Sequence, residues 1–263
     1  MIDIHCHILP VIDDGPRTMD DAVSMARMAV AEGIDGVLCT PHWHSVIWPN
    51  ERGDIVQAVA QLQARLLHEG VTLKVWAGSE LSFDASLNAC LDGGRLCTLN
   101  GGPWLLLELP GYVPPPGIDG YLRSFGQRGY QVVLAHPERY DYIVRDPARL
   151  YDWVSMGLAV QITGASLLGR LGPETAGLCR RLLEHRLVHF LASDSHGVRS
   201  RRPLLRKAVE AAADVLGERD AWRLVDDHPQ SVLRGEPLDL RDYEPIPPVS
   251  SKRSWLRSLL GRF

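Results

Sequence analysis

The chain opens Met1-Ile2-Asp3-Ile4-His5-Cys6-His7, with Asp13-Asp14-Gly15-Pro16 close behind. A short apolar stretch ending in two imidazoles two positions apart is a strand whose terminus can chelate a metal ion. A His-x-His pair alone is more often an ordinary surface or core pair, so the reading depends on whether further ligands recur in the same relation to further apolar runs. Asp14 comes first. Then His42 stands in Thr40-Pro41-His42, Glu80 in Gly78-Ser79-Glu80 and Glu108 in Leu105-Leu106-Leu107-Glu108. His136 stands in Leu134-Ala135-His136-Pro137, and Asp194 with His196 in Ala192-Ser193-Asp194-Ser195-His196.

The runs that carry these residues alternate with segments of 3.6-residue periodicity, the pattern of βα units on a parallel sheet. Strands are expected at 1–5, 34–40, 72–79, 104–109, 130–135, 158–163 and 187–193. Helices are expected at 18–32, 52–69, 84–92, 118–128, 147–156, 174–186 and 203–217. Thr18 with Asp21 three residues on is a helix-starting arrangement, and Gly33, Gly70, Gly129 and Gly157 stand where helices should stop. In a barrel of parallel strands the carboxyl ends all reach one face, so residues far apart in sequence converge there. His5 and His7 end the first strand; His42, Glu80, Glu108 and His136 follow the second to fifth; Asp194 and His196 follow the seventh. Six of the seven units thus supply one rim. The other histidines, His44, His68, His185, His189 and His228, do not follow this rule and read as surface or core residues.

With 263 residues the chain suits a single α/β domain. Residues 1–244 are assigned to it, and 245–263 to a Pro-containing linker and a basic amphipathic tail with Trp255, Leu256, Leu259, Leu260 and Phe263 among Lys252, Arg253, Arg257 and Arg262. Such a tail suits weak peripheral contact with a membrane or packing on the protein itself. A net charge of -4 disfavours nucleic acid as a partner. Five scattered cysteines with no Cys-x-x-Cys pair fit a reducing compartment; together with the missing signal sequence and membrane span, they give a cytoplasmic reading. Oligomeric state stays open, since the 52–69 helix suits either the barrel wall or a partner subunit.

Imidazole and carboxylate ligands without thiolate suit Mn²⁺, Fe²⁺, Zn²⁺, Mg²⁺ or Co²⁺, and a set of this size exceeds what one ion takes. Two or three ions are expected. A cluster with metals roughly 3.5–4 Å apart lowers the pKa of bound water and stabilises in-line displacement at phosphorus, which points to phosphate ester hydrolysis.

His5-Cys6-His7 with Asp13-Asp14-Gly15-Pro16, then His136-Pro137-Glu138-Arg139-Tyr140 and Ser193-Asp194-Ser195-His196, resemble the signatures of the polymerase and histidinol phosphatase (PHP) superfamily over about residues 1–240. Within it, the chain is similar to the bacterial capsule-associated protein-tyrosine phosphatases. The resemblance implies a distorted (β/α)₇ TIM-like barrel with three divalent ions, manganese foremost, at the C-terminal face of the strands. It implies that His5, His7, Glu80 and Asp194 hold one ion, that Glu80, Glu108 and His136 hold a second with Glu80 bridging, and that Asp14, His42 and His196 hold the third. Asp14 and Glu108, where other PHP members often carry histidines, favour the tyrosine phosphatase branch. Arg139 matches a phosphate-binding arginine. A second is expected among Arg199–Pro203, with spacing favouring Arg201 and the proline context Arg202. A guanidinium can grip two phosphate oxygens, but only three of the 28 basic residues are lysines (Lys74, Lys207 and Lys252), so position in the rim rather than residue type singles these arginines out. The chain departs from the family pattern at Trp43-His44 and beyond Pro245.

The expected reaction is attack by a metal-bridging hydroxide on phosphotyrosine of a protein, with a tyrosine kinase that controls exopolysaccharide synthesis as the implied partner. A cysteine route needs Cys-x₅-Arg; Cys90 and Arg95 are one residue short of it. The alternatives are a small-molecule phosphatase of the histidinol-phosphate type, a nuclease and a non-catalytic metal-bound scaffold.

Overall fold

The computed structural model describes residues 1–247. Nine strands run parallel: β1 (Ile2–Cys6), β2 (Gly36–Cys39), β3 (His42–Trp43), β4 (Lys74–Ala77), β5 (Glu80–Ser82), β6 (Trp104–Glu108), β7 (Gln131–Ala135), β8 (Ala159–Thr163) and β9 (Phe190–Ala192). They form a three-stranded sheet, β1-β2-β4, and a six-stranded sheet, β3-β5-β6-β7-β8-β9. All seven expected strands are present. The second and third are each interrupted after four residues, at Thr40-Pro41 and Gly78-Ser79, and resume as β3 and β5 in the other sheet. Proline cannot donate to a ladder, so Pro41 sits where pairing lapses.

Closure is made by the chain's first and last strands. Cys6 bridges Ser195, Asp194 N donates to His5 O (2.8 Å), and His7 N donates to Ser195 O (2.9 Å). Lower in the same seam the buried Asp3 carboxylate accepts from Ser193 N (3.0 Å), from the Ser193 hydroxyl and from His5 N (3.3 Å). Seven staves therefore enclose one barrel.

Inward-facing positions alternate along the strands. Leu106, Val133, Ala135, Ala159, Phe190 and Ala192 belong to the interior cluster with Ile4, Leu38 and Trp104. Two residues beyond Leu106, Ala159 and Ala192 the same face presents Glu108, Gln161 and Asp194. The apolar plug thus ends where the polar layer begins, and the layer lies at the C-terminal rim. The outward residues, among them Leu105, Leu107, Leu134, Val160, Ile162 and Leu191, pack under the surrounding helices.

The expected helices are all found, within a few residues of their predicted ends. Thr18 caps Met19–Ala31, its hydroxyl accepting from Asp21 N (3.1 Å). Gly33, Gly70, Gly129 and Gly157 all have positive φ. Helix Arg52–His68 lies on the barrel wall through Ile55, Leu62 and Leu66. Past residue 217 two helices, Glu218–Arg223 and Asp227–Arg234, lie at the opposite end of the barrel from the rim; Val232 joins the interior cluster, and Ile2 N donates to Val225 O (2.7 Å). The segment after them stays on the body, with Ile246 buried and Glu244 N donating to His185 O. The basic tail and the end of the Pro245–Pro248 linker lie outside the described residues. No helix among the described residues is long and apolar enough to cross a membrane.

Candidate metal centre

All nine residues singled out as metal ligands meet at the C-terminal rim. Three groups of ligand atoms are mutually within 4.8 Å: His7, Asp14, His42 and His196; His5, His7 and Glu80; and His42, Glu80 and Glu108. Asp194 Oδ1 adjoins the second group, 3.5 Å from His5 Nε2, and His136 adjoins the third, with Nε2 2.8 Å from Glu80 Oε1 and 3.9 Å from Glu108 Oε1. Glu80 is central: its second oxygen lies 2.9 Å from His42 Nδ1 and 3.3 Å from His5 Nε2.

The tautomers are set from behind. His5 Nδ1 donates to Gln161 Oε1 (3.0 Å), His7 Nδ1 to Asp13 Oδ2 (2.7 Å), and His196 Nδ1 to the backbone oxygen of Asp194 (3.1 Å). Each proton is thereby committed to Nδ1, and each Nε2 lone pair points into the site. His5 Nε2 and His7 Nε2 face one another at 3.2 Å, a pair that needs a proton or a metal ion between them. Glu80 Oε2 and His196 Nε2 are buried without a hydrogen bond among the described residues. Converging lone pairs and buried ligand atoms left without a hydrogen bond fit divalent metal.

The charges agree. Burial opposes a charge on His7, yet Asp13 and Glu80 outweigh it and raise the imidazole to about 10. Burial likewise opposes ionisation of Glu80, but His5, His136 and His42 hold it well below the usual range; His5, His136 and Arg139 do the same for Asp194. Glu108 is raised by burial and by the Glu80 carboxylate. His196 is driven down to about 2 by burial and by the positive His7 and Arg201. The pocket is a concentrated negative field in which protons and metal ions compete for the same lone pairs.

Both arginines singled out reach the rim at Asp194. Arg139 Nη1 is 2.7 Å from Asp194 Oδ2, and its Nη2 donates to Thr163 Oγ1 (3.1 Å). Arg201 Nη2 donates to Asp194 Oδ1 (2.8 Å), and Nη1 lies 3.6 Å from Asp14. Arg202 lines the neighbouring cavity without touching either carboxylate. His136, Asp194 and Arg201 have positive φ of 32°, 50° and 48°. Non-glycine residues adopt that region at a cost of about 1–3 kcal/mol each, and such costs concentrate at functional sites. At Gly15 a Cβ would come within 2.4 Å of His7 O, so only glycine lets the Asp13-Asp14 loop lie this close to the ligand strand.

Four supporting residues were given no role from sequence: Asp13 and Glu138, quoted only as parts of motifs, and Gln161 and Thr163. Asp13 also accepts from Gly15 N and His42 N, and so fixes the loop that carries Asp14. Glu138 accepts from Thr163 N and Thr163 Oγ1. Gln161 belongs to the one barrel unit without a ligand, and its position two residues beyond Ala159 on the inward face was the available signal.

A parallel barrel with a divalent-metal centre at the C-terminal rim defines a class of metal-dependent hydrolases. Over residues 1–234 the sequence matches the model of the capsular polysaccharide synthesis CpsB/CapC family, and the chain belongs to that family. It is 34% identical over 246 residues to the tyrosine-protein phosphatase YwqE of Bacillus subtilis (strain 168), covering 94% of this chain and 96% of YwqE. It is 28% identical over 207 residues to the putative tyrosine-protein phosphatase CapC of Staphylococcus aureus, covering 79% of this chain and 81% of CapC. A solved structure from work on YwqE of Bacillus subtilis and CpsB of Streptococcus pneumoniae, described as unique metal-dependent tyrosine phosphatases, superimposes with a TM-score of 0.89 at 34% identity, covering 95% of this chain and 100% of the other.

Proposed function

We propose that this chain is a manganese-dependent protein-tyrosine phosphatase of the cytoplasm. Its substrate is the phosphorylated tyrosine kinase that governs capsular or exopolysaccharide synthesis. The observation that carries the reading is the pairing of His5 Nε2 and His7 Nε2 at 3.2 Å beside Glu80 and Asp194, with two guanidiniums on the same Asp194.

His5, His7, Glu80 and Asp194 would hold one ion, Glu80, Glu108 and His136 a second, and Asp14, His42 and His196 a third. Bound there, the ions supply Lewis-acid polarisation of the phosphoryl group and an acidified water. The protein's own part is positional and electrostatic. Arg139 and Arg201 hold the non-bridging phosphate oxygens and offset the charge that builds in the transition state. Asp13 and Gln161 keep the imidazoles in the tautomer that presents Nε2. Tyrosine leaves as a phenolate whose acid has a pKa of about 10, so the departing oxygen needs little proton donation.

The test is phosphate release by metal-stripped protein refilled with Mn²⁺, offered a phosphotyrosine peptide, a phosphoserine peptide, histidinol phosphate and an oligonucleotide, with His136→Ala as control. Preferential phosphotyrosine turnover, lost in His136→Ala, is expected. Turnover of histidinol phosphate alone moves the chain to the small-molecule branch, and silence on all four removes the enzyme reading.

A further inference from the structure

A cavity of about 320 Å³ opens from the candidate centre toward the β8 and β9 side. Arg139, Asp194 and Arg201 form its inner wall, and Leu168, Leu171 and Leu204 supply the outer one. The volume lies at the low end of the roughly 300–1,000 Å³ typical of small-ligand sites, where apolar lining with a few placed charges is the rule. Leu168 and Leu171 are 37% and 50% exposed, although large apolar side chains. Arg170 and Arg202, also in the lining, have no ion-pair partner among the described residues.

The outer wall is held in place. Helix Gly164–Leu167 is capped by Thr163, whose Oγ1 accepts from Ser166 N (3.3 Å) and also from Arg139 Nη2 (3.1 Å). The following turn is tied by Leu168 N to Gly164 O and Arg170 N to Ala165 O, both 3.0 Å. Gly169 provides the positive φ of 76° that lets the chain reverse. One hydroxyl therefore fixes both the phosphate-gripping arginine and the apolar face beside it.

We propose that this cavity is the slot for the aryl ring of the substrate: Leu168, Leu171 and Leu204 pack against the phenyl ring of a phosphotyrosine whose phosphate lies on Arg139 and Arg201, while Arg170 and Arg202 face acidic side chains flanking it. The inference rests on the phosphotyrosine reading above and adds the residues that make it selective. A ring inserted here removes its own apolar surface and that of the half-exposed leucines from water. A serine phosphate placed on the same arginines carries no ring and leaves the slot wet.

The test is steady-state kinetics of the manganese-loaded full chain on two phosphotyrosine peptides of one sequence, with acidic or neutral flanks, and on β-glycerophosphate, an alkyl ester too small to use the slot. The double variant Leu168→Ala/Leu171→Ala is expected to raise KM for both peptides about tenfold, in line with the roughly 10–200-fold range of apolar pocket discrimination. Its kcat/KM on β-glycerophosphate should equal that of the wild type. Leu171→Asn, polar but uncharged at a half-exposed position, provides the same contrast should the double variant fold poorly. Arg170→Glu should lower kcat/KM about fivefold on the acidic-flanked peptide and leave the neutral one unchanged. Equal losses on peptide and alkyl ester, or no loss on either, overturn the slot. If the wild type releases phosphate from neither peptide, the phosphotyrosine reading itself fails; active wild type with indistinguishable variants removes the slot alone.

Discussion

Gln161 Oε1 lies 3.0 Å from His5 Nδ1 and 3.4 Å from the backbone nitrogen of His136, so one amide on β8 steers ligand-bearing ends on β1 and β7. Removing such an orienting partner typically lowers metal affinity by about 10–100-fold. Gln161→Leu is therefore expected to lose manganese to a chelator at about 10–100-fold lower chelator concentration than wild type. Unchanged retention would show that ring orientation is set elsewhere.

Lysine can replace the charge of arginine but not its fork. Arg139 is braced by Asp194 and Thr163, with its side chain 29% exposed, whereas Arg201 is 44% exposed. Arg139→Lys should cost more than Arg201→Lys in kcat/KM on a phosphotyrosine peptide, on the order of 100-fold against 10-fold. The reverse order would place the phosphate nearer Arg201.

The metal-free protein should lose stability as pH rises. His7 is raised from 6.5 to about 10, so its stabilising charge is fully present below pH 6.5 and is lost as pH climbs toward 10. Metal needs the same nitrogen unprotonated, so the added stability from manganese should grow over the same range. Thermal unfolding with chelator and with Mn²⁺, from pH 6.5 to 8.5, should give curves of opposite trend. Parallel curves would detach His7 from the metal.

A second titration acts at acid pH. His189 is fully enclosed, its Nδ1 accepting from Val160 N at 3.1 Å, and burial pushes it down to about 3. Its unfolded form binds a proton below 6.5 and the folded form does not, so stability falls as pH drops from 6.5 toward 3. His189→Asn retains an acceptor and removes the titration. The variant should show a flatter stability profile between pH 6.5 and 4, by an amount on the order of a few kcal/mol across the window.

The candidate ligands were legible as a converging set because each follows an apolar run, and a parallel barrel turns that local rule into convergence without any need for long-range information. The supporting residues were not, because a glutamine such as Gln161 or a threonine such as Thr163 reads as ordinary polar filling until its neighbour across the barrel is known. The strand breaks at Pro41 and Gly78 were hidden for a related reason. Apolar runs report burial, and burial continues through Thr40 and Ser79 although pairing there passes from one sheet to the other. Backbone conformation was least visible, since nothing in the residue types of His136, Asp194 or Arg201 announces a positive φ.

The seam that joins Asp3 to Ser193 links residues 190 positions apart. On the ribosome, His5 and His7 emerge long before Asp194 and His196, so a nascent polypeptide presents these imidazoles well before the wall that completes their cage exists. Contacts of such separation form late in folding. A product truncated before Ser193 keeps Asp14, His42, Glu80, Glu108 and His136 beside the two histidines but lacks Asp194, His196 and the seam that closes the barrel around them.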